Sequence, residues 1–347
     1  MKTSSQLSNR PKSVVILLFV AALLHVLASH ADTLYVSNYG NNTVYKFTSE
    51  GTGSLFVNSG LNHPTGLAFD QAGNLYVANY AGFKTSTVVK FTPDGIGSVF
   101  ATNLYASMGV AIDGTDIYVA NEGSSIINKY TSSGVGTVFA TTGFTIEGLA
   151  FDSAGNLYVA FYSQNKIMKF TSEGISSVFA DNGLNRPVGI AFDRSGNLYV
   201  VNNGNNTIEK FSPSGADLGI FASTGLNNPQ GVAFDRAGNL YVANFNNNTI
   251  REFSPSGADL GVFASTGLSQ PTYIAVVPDP SLSILASGNR AVLSWPVSGT
   301  NYTLQSTTNL PFPNWIDSTD LPIVHVLQCV LTNTIANGNR FYRLRSP

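Results

Sequence analysis

Short hydrophobic runs alternate with polar turns from residue 34 to residue 277, and one of these runs recurs six times. Each copy reads Leu or Ile, then Tyr, Val, a small or apolar residue, and finally Asn or, once, Phe. The copies begin at Leu34, Leu75, Ile117, Leu157, Leu198 and Leu240, at spacings of 41, 42, 40, 41 and 42 residues. A constant period in this range indicates one structural unit repeated along the chain.

The hydrophobic pattern inside each repeat predicts four short strands. In the second repeat the apolar runs are 66–69, 75–79, 88–91 and 98–101, and the turns between them are rich in Gly, Asn, Asp and Ser. No run keeps apolar residues at i, i+3, i+4 and i+7, so we expect no helices in the repeats. Four antiparallel strands in about 40 residues are typical of one blade of a β-propeller. The sequence therefore predicts an all-β fold with a six-bladed propeller.

The two ends of the repeat array predict how the ring of blades closes. The first repeat lacks the strand that precedes the Leu-Tyr-Val run elsewhere, whereas the last repeat is followed by an extra strand of that type, residues 271–277. We expect this C-terminal strand to pair with the N-terminal strands between residues 33 and 56. Such closure would leave no open sheet edge between the first and last blades.

The regions outside the array predict two further segments. Residues 1–31 carry Lys2, Arg10 and Lys12 before an apolar stretch, 14–27, which is shorter than the about 20 residues of a membrane-spanning helix. We interpret 1–31 as a secretory signal peptide, with a membrane anchor as the alternative, and expect a secreted or periplasmic protein. The period stops at residues 278–280, so 32–278 is the predicted propeller and 279–347 a small all-β domain with strands near 291–295 and 302–306.

The net charge of the chain indicates which classes of molecule it is expected to bind. The signal peptide takes 3 of the 18 Lys and Arg residues, so 18 − 3 = 15 remain against 20 Asp and Glu, a net charge of −5. An acidic chain of this kind is not expected to bind nucleic acid or, after signal cleavage, an anionic membrane. The lysines that recur at one position of the third strand are interpreted as a solvated stripe, with a basic belt as the alternative. They are Lys46, Lys90, Lys129, Lys169 and Lys210.

Cys329 is the single cysteine of the chain, so no internal disulfide can form. It lies in the apolar run 326–331, which predicts a buried and unreactive thiol. A reactive or intermolecular thiol is the alternative.

The repeat pattern Pro-x-Gly-apolar-Ala-Phe-Asp-x-x-Gly-Asn-Leu-Tyr-Val-Ala-Asn resembles NHL repeats. The array is also similar to the six-bladed SMP-30/gluconolactonase-like and virginiamycin B lyase-like propellers, over residues 32 to about 277. This resemblance implies the propeller fold, but that group contains lactonases, lyases and binding domains, so it implies no single activity. Residues 279–347 resemble C-terminal β-sandwich modules of secreted bacterial proteins, through the runs 293–296 and 302–310.

Strand direction sorts the loops of the array into two faces. On one face the turns 152–156, 193–197 and 235–239 are near copies, built on Asp and Gly as tight turns require. A calcium-binding ring of aspartates is the alternative there. On the other face, the loops that follow the Leu-Tyr-Val strands differ between repeats, and functional residues concentrate on such loops. We therefore expect ligand binding on this variable face.

Two rings of side chains are predicted around the channel mouth on the variable face. The first ring is Thr65, Met108, Glu147, Val188, Gln230 and Thr272, and the second is Asn38, Asn79, Asn121, Phe161, Asn202 and Asn244. Glu147 is the charged member of the first ring, Glu122 adjoins the second, and Phe161 could offer an aromatic platform. The candidate ligand-binding residues are Glu147, Glu122, Asn121, Phe161, Asn202, Gln230, Asn244, Asn38 and Asn79. The alternative is that the asparagines only cap strand ends.

Candidate catalytic groups are sparse. In the lyases that the array resembles, first-ring positions carry catalytic His, but this ring has none, and His63 lies in a crossing between blades. Acid–base catalysis needs two groups with separated pKa values, and Glu147 with Glu122 is a weak pair. We predict no catalytic residue, metal or cofactor, and a monomeric, non-catalytic propeller that binds an extracellular or cell-envelope glycan or protein. The alternative is a metal-dependent lyase or lactonase, with a divalent ion near Glu147, Asn121 and Asn202.

Overall fold

The computed structural model describes residues 32–278, 283–287, 290–296, 303–307, 314, 316–320, 322–325, 328–334 and 341–345. The chain divides into one compact unit, Ala31–Pro278, and a second unit that includes Asp279–Pro347. The predicted signal peptide, 1–31, and residues 279–280 of the predicted linker lie outside the described residues. In the part of the chain that is described, no helix has the length and apolar character needed to cross a membrane.

Residues 32–278 form 24 β-strands and one short 3-10 helix, Glu122–Ser124. The strands are β1 (Asp32–Asn38), β2 (Thr43–Phe47), β3 (Gly53–Val57), β4 (Pro64–Phe69), β5 (Leu75–Asn79), β6 (Ser86–Phe91), β7 (Gly97–Leu104), β8 (Ser107–Asp113), β9 (Asp116–Asn121), β10 (Ile126–Tyr130), β11 (Gly136–Thr141), β12 (Ile146–Phe151), β13 (Leu157–Phe161), β14 (Lys166–Phe170), β15 (Ser176–Ala180), β16 (Pro187–Phe192), β17 (Leu198–Asn202), β18 (Thr207–Phe211), β19 (Asp217–Ala222), β20 (Pro229–Phe234), β21 (Leu240–Asn244), β22 (Thr249–Phe253), β23 (Asp259–Ala264) and β24 (Pro271–Pro278).

Within residues 32–278 these strands make six antiparallel sheets of four strands each. Five sheets consist of four consecutive strands, and the sixth contains β1, β2 and β3 with β24 at its edge. Strand β24 is antiparallel to β1, with Val276 opposite Leu34 and Ile274 opposite Val36. The last strand of this unit therefore completes the sheet that the first strand begins.

One strand of each sheet contacts the corresponding strands of its two neighbours, in the order β24, β4, β8, β12, β16, β20 and then β24 again. We call these six the inner strands. Their backbones approach so closely that a Cβ added to Gly148 of β12 would lie 2.3 Å from the carbonyl oxygen of Val188 on β16. Glycine is required there because the neighbouring backbone occupies the place of a side chain.

The tyrosine of the repeated motif packs between neighbouring sheets. The ring of Tyr158 lies edge-on to Phe179 of its own sheet and to Phe192 of the next sheet, with 4.8 Å between centroids in both pairs. The same arrangement recurs at Tyr35, Tyr118 and Tyr199. Because the apolar side chains are buried between sheets, a single repeat cannot bury its own core, and the repeats stabilise one another.

The near-identical turns are held by their aspartates. The Oδ1 atom of Asp193 accepts hydrogen bonds from the backbone N–H groups of Ser195 and Asn197 at 2.8 and 2.9 Å, and Oδ2 accepts one from the Asn197 amide at 2.8 Å. Asp70, Asp152 and Asp235 hold their turns in the same way. No group of three or more His, Cys, Asp or Glu side chains among the described residues could hold a metal ion. The hydrogen bonds to the turn backbone show that these carboxylates form the turns.

The recurring lysines pack on the surface of the sheets. The Nζ atom of Lys90 lies 5.2 Å from the centroid of the Tyr76 ring and 3.6 Å from Oδ2 of Asp70. Lys129 and Lys169 also lie over a tyrosine ring and pair with an aspartate, and Lys210 lies over Tyr199. These contacts support the interpretation of a stripe along the sheet surface over that of a basic belt.

The second unit contains two sheets in the described residues. The strands are β25 (Ser283–Ser287), β26 (Arg290–Pro296), β27 (Thr303–Thr307), β28 (Ile316–Asp317), β29 (Ile323–His325), β30 (Gln328–Thr334) and β31 (Phe341–Arg345). The sheet orders are β25-β26-β30-β29 and β28-β27-β31. Strands β26 and β27 match the two predicted strands to within one residue. Trp295, Leu304 and Cys329 share one buried cluster, and burial raises the pKa of the Cys329 thiol. This confirms the predicted burial of the thiol.

Candidate functional site

Each inner strand carries a β-bulge at the same place. In the pairing of β12 with β13, Ile146 lies opposite Phe161 and Leu149 lies opposite Val159, so that Glu147 and Gly148 share a single partner. The same shift occurs in the other five sheets. A bulge re-aims the side chains of the extra residues. Each residue of the predicted first ring, from Thr65 to Thr272, is one of the two residues in the bulge of its inner strand.

The two threonines of the first ring connect neighbouring inner strands. The hydroxyl of Thr65 donates a hydrogen bond to the carbonyl of Ser107 at 2.9 Å, and that of Thr272 donates to the carbonyl of Pro64 at 3.0 Å. Each bond joins one sheet to the next. The threonines therefore contribute to the contact between sheets. Glu147 is the charged member of this ring.

Glu147 is buried without a hydrogen-bond partner for one of its oxygens. The residue is 6% exposed, and Oε2 has no partner in the described part of the chain. Burial, and then the negative charge of Glu122, raises the pKa of Glu147 well above its ordinary value. Burial also raises the pKa of Glu122. The structure thus brings the two predicted acids into electrostatic contact, and an unpaired buried carboxyl is costly unless a ligand or a proton satisfies it.

Tyr273 lies at the position where the other inner strands have glycine. Its hydroxyl is buried and has no hydrogen-bond partner among the described residues. Burial raises the pKa of Tyr273 well above its ordinary value, and the charges of Glu147 and Glu122 raise it further. Glu147, Glu122 and the Tyr273 hydroxyl therefore lie within electrostatic reach of one another.

The predicted asparagine ring holds the crossings between sheets. The amide nitrogen of Asn202 donates to the carbonyl of Gly183 at 2.8 Å, and its Oδ1 accepts from the backbone N–H of Asn185 at 3.0 Å. Asn38, Asn79 and Asn244 make the corresponding bonds. All four side chains are buried and use their amides within the fold. These bonds fit the alternative that the asparagines cap strand ends.

Asn121 and Phe161 are also buried. The Asn121 amide donates to Oδ1 of Asn128 at 2.7 Å and accepts from the hydroxyl of Ser107 at 3.0 Å. Phe161 is 4% exposed, and its ring lies 6.0 Å from that of Phe144. It is a core residue, because too little of its ring is exposed to serve as the expected aromatic platform.

A different set of residues, one position after each member of the second ring, forms the accessible part of the site. The backbone N–H of each donates to the carbonyl of the residue that enters the inner strand, at 3.0 to 3.2 Å. All six side chains are partly exposed. We call this set the collar: Tyr39, Tyr80, Glu122, Tyr162, Asn203 and Phe245.

One arc of the collar is aromatic. The ring of Tyr39 lies 4.5 Å from the imidazole of His63, 5.9 Å from the ring of Phe245 and 6.3 Å from that of Tyr80. Burial raises the pKa of Tyr80, and the charge of Glu122 raises it further. Four consecutive collar residues are therefore neighbours, in the order Phe245 of the last repeat, Tyr39 of the first, Tyr80 of the second and Glu122 of the third.

The opposite arc of the collar, Tyr162 and Asn203, has polar and charged neighbours. Asn203 donates through its side-chain amide to Oδ1 of Asn228 and, at 3.1 Å, to the carbonyl of Pro229. Gln230, a predicted site residue, donates to the same Asn228 oxygen at 2.9 Å. The guanidinium of Arg186 lies over the ring of Tyr162, 6.0 Å from its centroid. Of the nine predicted site residues, Glu147, Glu122 and Gln230 thus remain.

Sequence reasoning missed the aromatic part of the collar and Tyr273. The signal was available at one aligned position, because three of the six repeats place Tyr and one places Phe directly after the second-ring residue. The signal at Tyr273 was the loss of the repeat glycine. Both become informative only when repeats far apart in sequence are aligned and placed side by side.

Comparison with known proteins supports the repeat type and the fold. A family model for the NHL repeat matches residues 184–211 and 226–253. A solved nidogen/laminin complex contains a chain that superposes with a TM-score of 0.64 at 20% identity, over 71% of this chain and 98% of that chain. The two matched segments are thus NHL repeats, and the superposition shows a β-propeller fold. The resemblance to NHL repeats that the sequence indicated is confirmed for the two matched segments.

Two lyase structures share the same fold. Streptogramin B lyase superposes with a TM-score of 0.51 at 16% identity, over 78% of this chain and 83% of that chain. Virginiamycin B lyase from Staphylococcus aureus superposes with a TM-score of 0.53 at 15% identity, over 78% of this chain and 93% of that chain. No curated protein sequence matches this chain significantly. At these identities the likeness shows the propeller fold alone.

Proposed function

We propose that this protein is an exported, non-catalytic binding propeller that holds an extracellular protein at its collar. In this proposal the six sheets are the blades of one closed six-bladed propeller, residues 1–31 direct export, and residues 279–347 form a separate accessory module. The pairing of β24 with β1 and the cyclic order of inner-strand contacts support the closed ring. The near-identical turns form the structural face.

The exposed aromatic arc of the collar carries the proposal. Tyr39, Tyr80 and Phe245 are partly exposed and held in place by backbone hydrogen bonds. Rigid aromatic side chains with adjacent polar groups are enriched at the centres of protein interfaces. The nidogen/laminin structure is itself a complex between proteins, which favours a protein ligand over a glycan for a propeller of this type.

A screen against arrays of extracellular proteins and of glycans tests this function. We expect a protein ligand whose affinity falls at least tenfold in Tyr39→Ala and in Phe245→Ala. Leu218→Ala, a change at an exposed apolar side chain of the edge strand β19, should leave binding unchanged. Binding that both collar variants retain, or that Leu218→Ala weakens equally, would place the ligand elsewhere. Capture of glycans alone would replace the protein ligand by a glycan.

The buried acid favours a lyase or lactonase as the second candidate. Glu147 has a raised pKa and could hold a proton for acid catalysis. The two lyase neighbours name a substrate class to try first. Incubation of the protein with a streptogramin B and Mg²⁺ should leave the antibiotic intact if the protein only binds ligands. Multiple turnovers that Glu147→Gln abolishes would establish the enzyme instead.

A further inference from the structure

Three oxygen-bearing groups lie within electrostatic reach of one another at the inner side of the collar: the buried Glu147 carboxyl, the buried Tyr273 hydroxyl and the partly exposed Glu122. No ion pair in the described residues balances them. The influences that shift the pKa of Glu147 are burial and Glu122, both of which disfavour the carboxylate. Three basic side chains of the same face pack on aromatic rings: His63 contacts Tyr39, Arg186 lies over Tyr162 and Lys84 lies over Tyr105. Oε2 of Glu147 and the hydroxyl of Tyr273 have no hydrogen-bond partner among the described residues.

We propose that Glu147, Glu122 and Tyr273, with the aromatic rings of the collar, bind a primary ammonium group, presented as a lysine side chain of a protein partner. The inference rests on the proposed function for the source of the lysine. The ammonium chemistry itself is assigned from the acidic groups and the rings.

The donor and acceptor inventory fits this ligand. A primary ammonium has three N–H donors and no acceptor, whereas the site offers two carboxyl groups and one phenolic oxygen. Its charge would compensate Glu147, which is 6% exposed and has no internal cationic partner among the described residues. The faces of Tyr39, Tyr80 and Phe245 would attract the cation and cover its alkyl stem, as aromatic rings do for ammonium ligands.

Other occupants fit less well. A Ca²⁺ or Mg²⁺ ion prefers a set of six or more oxygen ligands, and no group of three or more His, Cys, Asp or Glu that could hold a metal ion is found in the described ranges. A neutral sugar would bring hydrogen bonds but no charge to the two acids. A guanidinium is recognised best when one carboxylate accepts two parallel hydrogen bonds, whereas a single buried oxygen of Glu147, Oε2, is without a partner in the described residues.

Proton release should accompany binding. Burial favours the protonated carboxyl of Glu147 in the free protein, whereas a bound ammonium favours the carboxylate. The other titratable groups that face Glu147 are Glu122, Tyr80 and Tyr273, with His63 behind Tyr39. Affinity for the ammonium should therefore rise with pH as the cost of removing the Glu147 proton falls.

Titration of the purified protein with Nα-acetyl-lysine methylamide tests the site directly. We expect this probe to bind at least tenfold more tightly than its neutral Nε-acetyl form. Glu147→Gln and, separately, Tyr273→Phe should each weaken the charged probe. Glu173→Gln removes the same charge from an exposed turn on the opposite face and should leave binding unchanged. Thermal unfolding of each variant verifies that it is folded.

Three outcomes would overturn the ammonium site. They are equal binding of the two probes, equal loss in Glu173→Gln, or tight Ca²⁺ binding that depends on Glu147 and excludes the probe. The protein ligand found in the array screen distinguishes the proposed ammonium site from the proposed binding function. If that ligand needs Tyr39 but binds unchanged after acetylation of its lysines, the ammonium site is wrong and the binding function stands. If the probe binds through Glu147 but no array protein needs the collar, the ammonium site stands and the proposed function of binding a protein at the collar is wrong.

Discussion

The rings of Tyr39 and Phe245 lie 5.9 Å apart, although these residues belong to the first and last repeats. The contact exists because β24, at the end of the array, pairs with β1 at its beginning. Two of the three rings of the aromatic arc, Tyr39 and Phe245, are therefore brought together where the two ends of the array meet. A chain that failed to join them would lose this part of the candidate site as well as stability.

Removal of β24 tests this dependence. A chain that ends at residue 270 should unfold at a lower temperature than one that ends at residue 278, and it should aggregate. The reason is that β1 loses its hydrogen-bonded neighbour, and β4 and β20 lose the strand that they contact. The chain that ends at 278 is the matched control, since both lack the second unit. Thermal unfolding and size-exclusion chromatography measure the difference. Identical melting and solubility of the two chains would contradict closure through β24.

Gly148→Ala tests the close contact of the inner strands. The new Cβ would lie 2.3 Å from the Val188 carbonyl oxygen, so the strands must separate, at a cost on the order of 1–3 kcal/mol in the free energy of unfolding. Gly123→Ala is the control, because the nearest atom to its added Cβ is 3.3 Å away. Urea unfolding of both variants should show the larger loss at Gly148, and equal losses would argue against tight packing there.

The repeat period and the strand pattern made the fold largely predictable from sequence. A motif such as Leu198 to Asn202 consists of β-forming residues and directly follows a tight turn, so it predicts a strand. Its six copies predict one such strand in each of six sheets. The roles of the second-ring residues depend on contacts that the sequence pattern does not contain. Sequence spacing places Asn202 at the end of a strand, yet it does not say that the amide turns back to bind the crossing at Gly183 and Asn185.

The collar could not be assembled from sequence because its contacts are long-range. Tyr39 and Tyr80 are neighbours only once the first two sheets lie side by side. The burial of Glu147 was likewise missed, since its ring position suggested a surface residue, whereas the bulge in β12 directs it among the inner strands. Such effects depend on packing between repeats, which a local pattern does not specify.

Asn202→Ala tests the structural role of the asparagines. The change leaves the Gly183 carbonyl and the Asn185 N–H without their partner, and we expect a loss on the order of 2 kcal/mol in the free energy of unfolding. Asn203→Ala, one residue away in the collar, should cost less stability but should weaken ligand binding. Chemical unfolding and a binding titration of both variants measure this division. Weaker binding with unchanged stability in Asn202→Ala would show instead that Asn202 belongs to the binding site.

Glu209 should make stability fall as pH rises. Burial, and then the hydrogen bond to Asp217 and its charge, raises the pKa of Glu209 from an ordinary 4.5 to about 7. The folded state therefore holds this proton more tightly than the unfolded state. The stabilisation is complete below about pH 4.5 and is lost by about pH 7, a change of about 2–3 kcal/mol at most.

Glu209→Gln provides the control for this pH dependence, because the amide cannot titrate. In the next repeat the same two positions hold Arg251 and Asp259, an ion pair 2.5 Å long, and Arg251 lowers the pKa of Asp259. Urea unfolding at a series of pH values should show a slope between about pH 4.5 and 7 that the variant lacks. An unchanged slope in Glu209→Gln would assign the dependence to other groups.

We propose that the collar and Glu147 bind the ligand while the opposite face only maintains the fold. The most direct test measures ligand affinity and unfolding free energy together for Glu147→Gln and Asp193→Ala, with the protein captured in the array screen as ligand. We predict that Glu147→Gln weakens binding at least tenfold with stability unchanged or slightly raised, because it removes an unpaired buried carboxyl. Asp193→Ala should lower stability by on the order of 1–3 kcal/mol through lost turn bonds, with affinity unchanged. Loss of binding in folded Asp193→Ala, with full affinity in Glu147→Gln, would show that the ligand binds the opposite face.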